Sequence, residues 1–409
     1  MSSSPPDAAV TEKLRRRPLR RQRAAARKLV ASVLPERNAP HLKGGISIFV
    51  TSAIVLELVL LLLHFMIYET LATAFRIGGL PLGIALGFLS LTFISASIMS
   101  AKFTGLLMRG YYMLAGVWFA FIAPLSGACF GFALIENISF YFWTLVPPAL
   151  AGGICFGLAV AVTLYGIQHS LRADVTRVTV SLPNLPAFWK GKTAVFVSDL
   201  QLGNIYGRGF AAKVVEKIQE LRSEAVFIGG DLYDGVKCDP VWLIEPFKAL
   251  HPPLGTYFIS GNHEYIRDAG LFFDAIRKTG ITVLKNEMVD LRGIQLIGVD
   301  FNDTDKKQDF ADVMAEFDID AARPSILLRH VPDYLDIAAH FGISFTLSGH
   351  THQGQFFPLN YITRRIYKGF DYGLKRFGKM LVYTSSGAGA WMSPFRLGTK
   401  SEIVLIQFC

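Results

Sequence analysis

The sequence predicts two architectures in tandem, an all-α membrane region followed by an α/β (α+β) domain. Three observations carry this reading. Residues 46–168 are largely apolar, whereas residues 170–409 carry ordinary charge. The apolar part divides into stretches long enough to cross about 30 Å of hydrocarbon. Beyond residue 175, short apolar runs alternate with helical patterns, as in a sheet built through helical crossovers. The boundaries expected are a basic arm at 1–43, a membrane region at 44–170 and an α/β domain at 171–409.

The hydrophobic content of 51% and the net charge of +9 are both local features. Residues 1–43 hold eleven Lys or Arg against three acids, with most of the charge in KLRRRPLRRQRAAARK. A basic run can bind nucleic acid, face an anionic membrane or set topology. This one directly precedes a hydrophobic span, has no interleaved aromatics and is followed by no nucleic-acid motif, so topology is favoured and no nucleic-acid partner is expected. The four cysteines form no CxxC pair or disulfide framework, which points to a reducing compartment.

Four spans are expected, at 46–68, 77–99, 111–135 and 139–167. The last contains Pro147 and Pro148, which would mark a kink or a short hairpin. Lys102 and Arg109 lie between the second and third spans, and Arg172 and Arg177 follow the fourth. By the positive-inside rule the N-terminus and residues 170–409 are cytoplasmic, in a multi-pass plasma or inner membrane protein. Glu57 and His64 fall inside the first span and are read as facing partners in the bundle rather than as an ion path.

In the second half, TAVFVSDL ends in Asp199 and AVFIGGDLYDG in Asp231. TYFISGNHEY ends in Asn262-His263, SILLRHVPDY contains His330, and SFTLSGHTHQGQ ends in His350-Thr-His352. Helices are expected at about 209–222 and 270–279, and a hairpin and strand within 282–300. Side chains at the carboxyl ends of neighbouring strands converge on one rim. Singly, each motif is a turn or cap; jointly, two Asp, one Asn and three or four His make a divalent-metal environment that suits Mn, Fe, Zn or Mg.

At these residues the chain resembles the calcineurin-like metallophosphoesterase superfamily. Its pattern of Asp-x-His, GDxxD, GNH-Asp/Glu, His and GHxH reads here SDLQ, GDLYD, GNHE, LLRH and GHTH, over residues 193–408. The surrounding YFISGNHEY, TVLKN, LSGHTHQGQFFP and SSGAGAWMSPFRLG look like the membrane-attached subfamily of transmembrane proteins with a metallophosphoesterase domain. The resemblance implies a four-layer αββα sandwich and two divalent metal ions. Asp199, Asp231 and His352 would hold the first, with Gln201 standing where the family has His. Asp231, Asn262, His330 and His350 would hold the second. His263 would contact the phosphoryl group or protonate the leaving oxygen, and Asp234 would orient His263; Glu264 receives no direct role.

The activity implied is hydrolysis of a phosphodiester or pyrophosphate, with a lipid-linked substrate such as UDP-2,3-diacylglucosamine as the case that best suits membrane attachment. The alternatives are a soluble phosphodiesterase, on cyclic nucleotides for example, with the spans as anchor, and a non-catalytic scaffold or sensor, for which Gln201 is the sequence support. Asn204 and Arg208 are candidates for phosphate contact. His251 and His340 are read as surface residues. Trp391, Met392 and Phe395 are read as core, with an apolar lipid groove as the alternative.

Overall fold

A computed structural model describes residues 45–142 and 146–409. The basic arm lies outside the described residues. The first four helices are α1 (Gly45–Phe75), α2 (Leu80–Ser100), α3 (Leu106–Phe142) and α4 (Pro148–Ser170). All four contain windows long and apolar enough to cross a membrane. The third and fourth differ from expectation. Residues 139–142 belong to α3, which runs through Pro124, and the Pro-Pro pair starts α4 rather than kinking it. Proline suits a first helical turn because its missing N–H would have no partner there.

Inside the bundle Glu57 and His64 of α1 both have partners. His64 Nδ1 bonds Leu60 O at 2.7 Å, and Trp118 Nε1 donates to His64 Nε2 at 3.0 Å. Ser90 Oγ donates to Glu57 Oε1 at 2.8 Å.

The remainder begins with β1 (Ala173–Val180), β2 (Thr193–Val197), α5 (Arg208–Glu220), β3 (Ala225–Ile228), α6 (Pro240–Ile244) and β4 (Thr256–Phe258). It continues through α7 (Ala269–Arg277), β5 (Thr282–Val283), β6 (Glu287–Leu291), β7 (Ile294–Gly298), α8 (Lys307–Met314) and β8 (Ser325–Leu328). It ends with α9 (Leu335–His340), β9 (Phe345–Ser348), α10 (Leu359–Ile366), β10 (Gly373–Phe377), β11 (Met380–Thr384) and β12 (Ser401–Phe408).

The strands form two sheets, ordered β1-β12-β2-β3-β4-β5 and β10-β11-β9-β8-β7-β6. Strands β2 to β5 are mutually parallel, as are β7, β8, β9 and β11. The 282–300 stretch is therefore divided. Thr282–Val283 closes the first sheet, and the hairpin is β6–β7, turned by Arg292 and Gly293, both at positive φ as a tight hairpin turn requires.

Side-chain alternation explains the layering. Ala194, Phe196, Ala225 and Phe227 point between the sheets, against Leu296, Ile326, Leu328, Phe345 and Leu347. Val195, Val197, Val226 and Ile228 point the other way, against Val214 and Ile218 of α5 and Phe272 and Ile276 of α7. On the far side Ile297, Leu327 and Val382 pack against Phe310 and Met314 of α8 and Ile337 and Ala338 of α9. Strands buried on both faces need no polar alternation, which is why they read as continuous apolar runs. The result is the four-layer αββα sandwich.

The helical region docks on this sandwich at close quarters. Arg109 Nε donates to Asn204 O, Lys237 N to Ser100 O, and Arg396 N to Gly166 O. A Cβ added at Gly166 would stand 2.2 Å from Phe395 Cε2 and 3.1 Å from Arg396 O, so α4 can lie this close only without a side chain there. Gly166→Leu is expected to push α4 off the sheet at a cost of about 1–3 kcal/mol, the usual range for overpacking. The thermal midpoint in detergent should fall and the chain near Leu171 should become protease-sensitive. An unchanged midpoint would mean that this contact does not hold the two regions together.

Candidate metal centre

The strand ends place the expected residues in one cluster. Asp199 follows β2, Asp231 follows β3 and Asn262 follows β4, all in the first sheet; His330 follows β8 and His350 follows β9, both in the second. The rim on which these residues meet is shared by the two facing sheets of the sandwich. Asp199, Gln201, Asp231, His350 and His352 all have φ between 46° and 67°. Such left-handed backbone in non-glycine residues costs of order 1–3 kcal/mol each and gathers at functional sites. Here it turns each side chain back over its strand end. At Gly230 a Cβ would stand 2.7 Å from His330 Nδ1, so only glycine lets the two sheets approach at this point.

Asp231 is central. Its Oδ2 lies 3.1 Å from Gln201 Nε2, 3.3 Å from His330 Nε2 and 3.8 Å from His263 Nε2. Its Oδ1 accepts the His263 N–H at 2.9 Å. Asn262 Oδ1 is 2.9 Å from His350 Nδ1 and 3.2 Å from His330 Nε2. Asp199 accepts the His350 N–H and lies 3.6 Å from His352 Nε2. Donor atoms of Asp231, His330 and His350 all fall within 4.8 Å of one another, a spacing that one cation can bridge. Carboxylate, carboxamide and imidazole donors fit divalent Mn, Zn, Fe or Mg, and the set is large enough for two ions.

The protonation pattern follows from burial and charge. Burial disfavours the charged form of the His330 ring, but the charge and hydrogen bond of Asp231 outweigh it and raise the pKa to about 10. Burial, then the neighbouring His330 charge, lowers His350 to about 4. Burial and Arg396 hold His352 well below the usual imidazole value. Burial raises Asp199 to about 6. His330 Nδ1 bonds Gly229 O at 2.7 Å, so its Nε2 faces the cluster. Fixing one ring nitrogen to aim the other is the usual support of a metal-binding imidazole.

Two predicted partners are placed differently. His263 Nδ1 meets the main-chain carbonyl of Asp234 at 2.9 Å; the Asp234 carboxylate instead accepts the N–H groups of Val236 and Asn204. The carbonyl is nearer the ring because the turn after β3 carries it there. Arg208 pairs with Glu245 outside the cluster. His251 and His340 are exposed.

The sequence reading missed Glu264, Arg396 and Tyr112. The Glu264 carboxylate is fully buried and accepts four main-chain N–H groups, from Asp231, Leu232, Tyr233 and Gly261. Its signal was a carboxylate two residues past Asn262, close to Gly261, whose N–H needed an acceptor. Arg396, also fully buried, donates to Gly389 O and His352 O, and its Nη2 lies 3.3 Å from His352 Nδ1. Tyr112 comes from membrane helix α3 and lines a gap beside Gln201 and His263. Nothing in the spacing of residues announced either of these.

The cluster opens into a cavity of about 400 Å³. Asp231, Asn262, His263, His350 and His352 form one side, and Phe119, Phe356, Leu359, Ile366, Tyr367 and Trp391 form the other. Phe119 belongs to α3. Trp391, expected in the core, is half exposed, and Met392 lines the same cavity; Phe395 is buried.

Comparison with known proteins agrees with this fold and cluster. The family model described as calcineurin-like phosphoesterase matches residues 192–354, which include every proposed ligand from Asp199 to His352. An uncharacterized metallophosphoesterase of Aquifex aeolicus is 30% identical over 61% of this chain and 97% of its own length. The chain belongs to the calcineurin-like metallophosphoesterases. It is also similar to an uncharacterized metallophosphoesterase of Helicobacter pylori, 33% identical over 52% of this chain and 58% of that protein. The transmembrane protein with metallophosphoesterase domain of Bos taurus is 32% identical over 63% of this chain and 61% of that protein. The match thus spans less than two thirds of the latter two relatives.

The His330 pKa sets a pH dependence. A cation at Nε2 needs the lone pair that a proton holds below about pH 10, so binding releases that proton. Metal affinity should rise about tenfold per pH unit between pH 6 and 8, and more steeply below about pH 6, where Asp199 also takes up a proton. Titration calorimetry in buffers of different ionisation enthalpy would check this. Affinity independent of pH with no proton release would contradict it.

Proposed function

We propose that the protein is a membrane-anchored, binuclear metal-dependent hydrolase of phosphodiester or pyrophosphate bonds, acting on a lipid-linked substrate of the kind exemplified by UDP-2,3-diacylglucosamine. The observation that carries this reading is the composition of the cavity. Phosphate-directed ligands line one side and apolar side chains the other, among them Phe119 from a membrane helix. With 37 residues, α3 is about 55 Å long, well beyond a bilayer's hydrocarbon core. Its first turns therefore have length to spare for the sandwich, and the site lies at the membrane surface. Exposed apolar residues gather there. In α10 no residue is buried, and Tyr361, Ile362 and Ile366 stand exposed beside Arg364 and Arg365. Apolar residues flanked by basic ones suit a lipid headgroup boundary.

Asp199, Gln201, Asp231 and His352 would hold one ion, and Asp231, Asn262, His330 and His350 the other, with Asp231 shared. Two such ions supply Lewis acidity toward phosphoryl oxygens and lower the pKa of water. The chain's own residues do the rest. His263 Nε2, aimed into the cavity because Nδ1 is tied to the Asp234 carbonyl, contacts the phosphoryl oxygens or gives a proton to the leaving oxygen. Trp391 and Phe119 cover the apolar part of the substrate and exclude water. The sandwich stands on the cytoplasmic side by the positive-inside rule, because Lys102, Arg109, Arg172 and Arg177 lie at its end of the bundle and the sequence preceding α1 is strongly basic.

The test is a metal-resolved assay of the full chain with Mn on bis-p-nitrophenyl phosphate, cyclic AMP and UDP-2,3-diacylglucosamine. The lipid-linked pyrophosphate should be the best substrate, and Asp231→Asn should abolish turnover of all three. Brisk cleavage of soluble diesters with the lipid left intact would refute the lipid assignment. Gln201→His should tighten the first ion and shift preference from Mn or Mg toward Zn, since imidazole is the softer donor. If inductively coupled plasma analysis finds affinity and preference unmoved, Gln201 does not reach the metal.

A further inference from the structure

Trp391 and Met392 close one end of the metal-site cavity, and the same pair walls a second, larger cavity of about 930 Å³. One side of the second cavity is membrane helix, with Ala53 and Leu56 from α1 and Phe93 and Ile94 from α2. The other side is the sandwich, with Val236 and Ile266. A narrow gap bordered by Tyr112, Asp234, Gln201 and His263 lies against the same Trp391–Met392 pair. The pair is thus common to all three spaces. It is also held firmly. Met392 has φ 61°, and the buried Gln355 both accepts the Trp391 N–H at 2.7 Å and donates to Trp391 O at 2.9 Å.

Apart from Lys102, the charged groups around this cavity already have partners. Arg267 donates to the carbonyls of Ala101 and Gly235. Asp268 accepts the Gly270 N–H, Asp234 accepts the Val236 N–H, and Ser97 Oγ donates to Phe93 O. What they leave to an occupant is mainly apolar surface. Ile98 and Ile266, at 50% and 58% exposure, border the cavity and face outward. Ile98 lies within a helix that meets the length and hydropathy of a membrane span, so the opening there faces hydrocarbon. A soluble ligand would have to cross that hydrocarbon to enter, whereas a bilayer lipid only has to swing a chain sideways.

We propose that this second cavity binds one hydrocarbon chain of a membrane lipid, and that this lipid is the substrate whose phosphoryl group lies at the metal cluster. The proposal rests on the hydrolase reading above. The chain enters past Ile98 and Ile266 and runs along Trp391 and Met392, which border both cavities, to the reacting end. Nothing in the motif set calls for this site, since it is built from membrane helices and the loops after β3 and β4 together.

The experiment uses the full chain with Mn in phosphatidylcholine nanodiscs and a hexadecyl phosphate bearing a diazirine at the chain end. After irradiation, adducts should map to the Ile94–Ile98 peptide and to Val236 and Ile266. Outward-facing Leu58 and Leu62 of α1, exposed like any lipid-facing residue, give the internal reference. Ser97→Phe should lower cavity adducts relative to that reference by at least about tenfold, the loss expected when two buried methylenes are excluded. Ala53→Leu, on the opposite helix, should do the same and covers the case in which the first variant fails to fold. Adducts confined to Leu58 and Leu62, or undiminished in a folded variant, would overturn the site. In parallel, wild type should prefer p-nitrophenyl hexadecyl phosphate to p-nitrophenyl methyl phosphate, and both variants should lose that preference. Cavity labelling with no chain preference would mean ordinary bilayer lipid fills the space and would overturn the substrate assignment, while the hydrolase reading stands. Turnover of neither diester would sink the hydrolase reading and with it the claim that the chain belongs to a substrate; labelling would still decide whether the chain site exists.

Discussion

Four main-chain N–H groups converge on the buried carboxylate of Glu264, and the geometry of the metal centre depends on that convergence. Three of the donors lie in the turn that follows β3 and the fourth, Gly261, follows β4. Each would otherwise be a buried donor without an acceptor, at about 1–3 kcal/mol apiece. One side chain thus fastens two neighbouring strand ends. It fixes Asp231 in its left-handed conformation and sets Asn262 beside it. The oxygens of Glu264 are taken up by these donors rather than by a cation, so the residue completes the frame without competing for metal.

A second frame runs through Arg396. Its main-chain N–H bonds Gly166 O in α4, while its guanidinium reaches Gly389 O and His352 O. A single residue therefore touches the membrane region with its backbone and the loop of a proposed ligand with its side chain. Burial lowers its pKa to about 10, which still leaves it charged at neutral pH. Burial first, and that charge second, keep the His352 ring neutral and open to a cation. The helical region is in this sense part of the site's construction and more than an anchor, as Phe119 and Tyr112 also indicate.

Much of this was legible in the sequence. Strands buried on both faces announce themselves as short apolar runs, and the residues that leave them toward the cluster come at once after Gly or at the run's end, so Asp199, Asp231, Asn262, His330 and His350 could be named in advance. The division into two sheets came from the family resemblance and not from the local pattern, because β5 and β6 are separated by only a few residues and nothing local says that the chain changes sheets between them. The ends of α3 and α4 were misjudged for a related reason: Pro-Pro breaks a helix and also begins one, and composition alone does not choose. Trp391 was read as core because large aromatics usually are; its exposure follows from helix packing that no local pattern encodes.

Gln201 bears on whether the departure from the family's histidine is decay or adjustment. A position released from function would be expected to lose its constraints. This one is 2% exposed, has φ 54°, donates its main-chain N–H to Asp231 O at 3.1 Å and places its side chain 3.1 Å from Asp231 Oδ2. The strained backbone and the contact to the shared carboxylate are both kept. A carboxamide presents an NH2 to a carboxylate or, after a half-turn of its last bond, a neutral oxygen to a cation. That oxygen is a harder and weaker donor than imidazole, so an ion reached by Gln201 would be held more loosely than one reached by histidine. The geometry therefore argues for two unequal metal positions rather than an abandoned site.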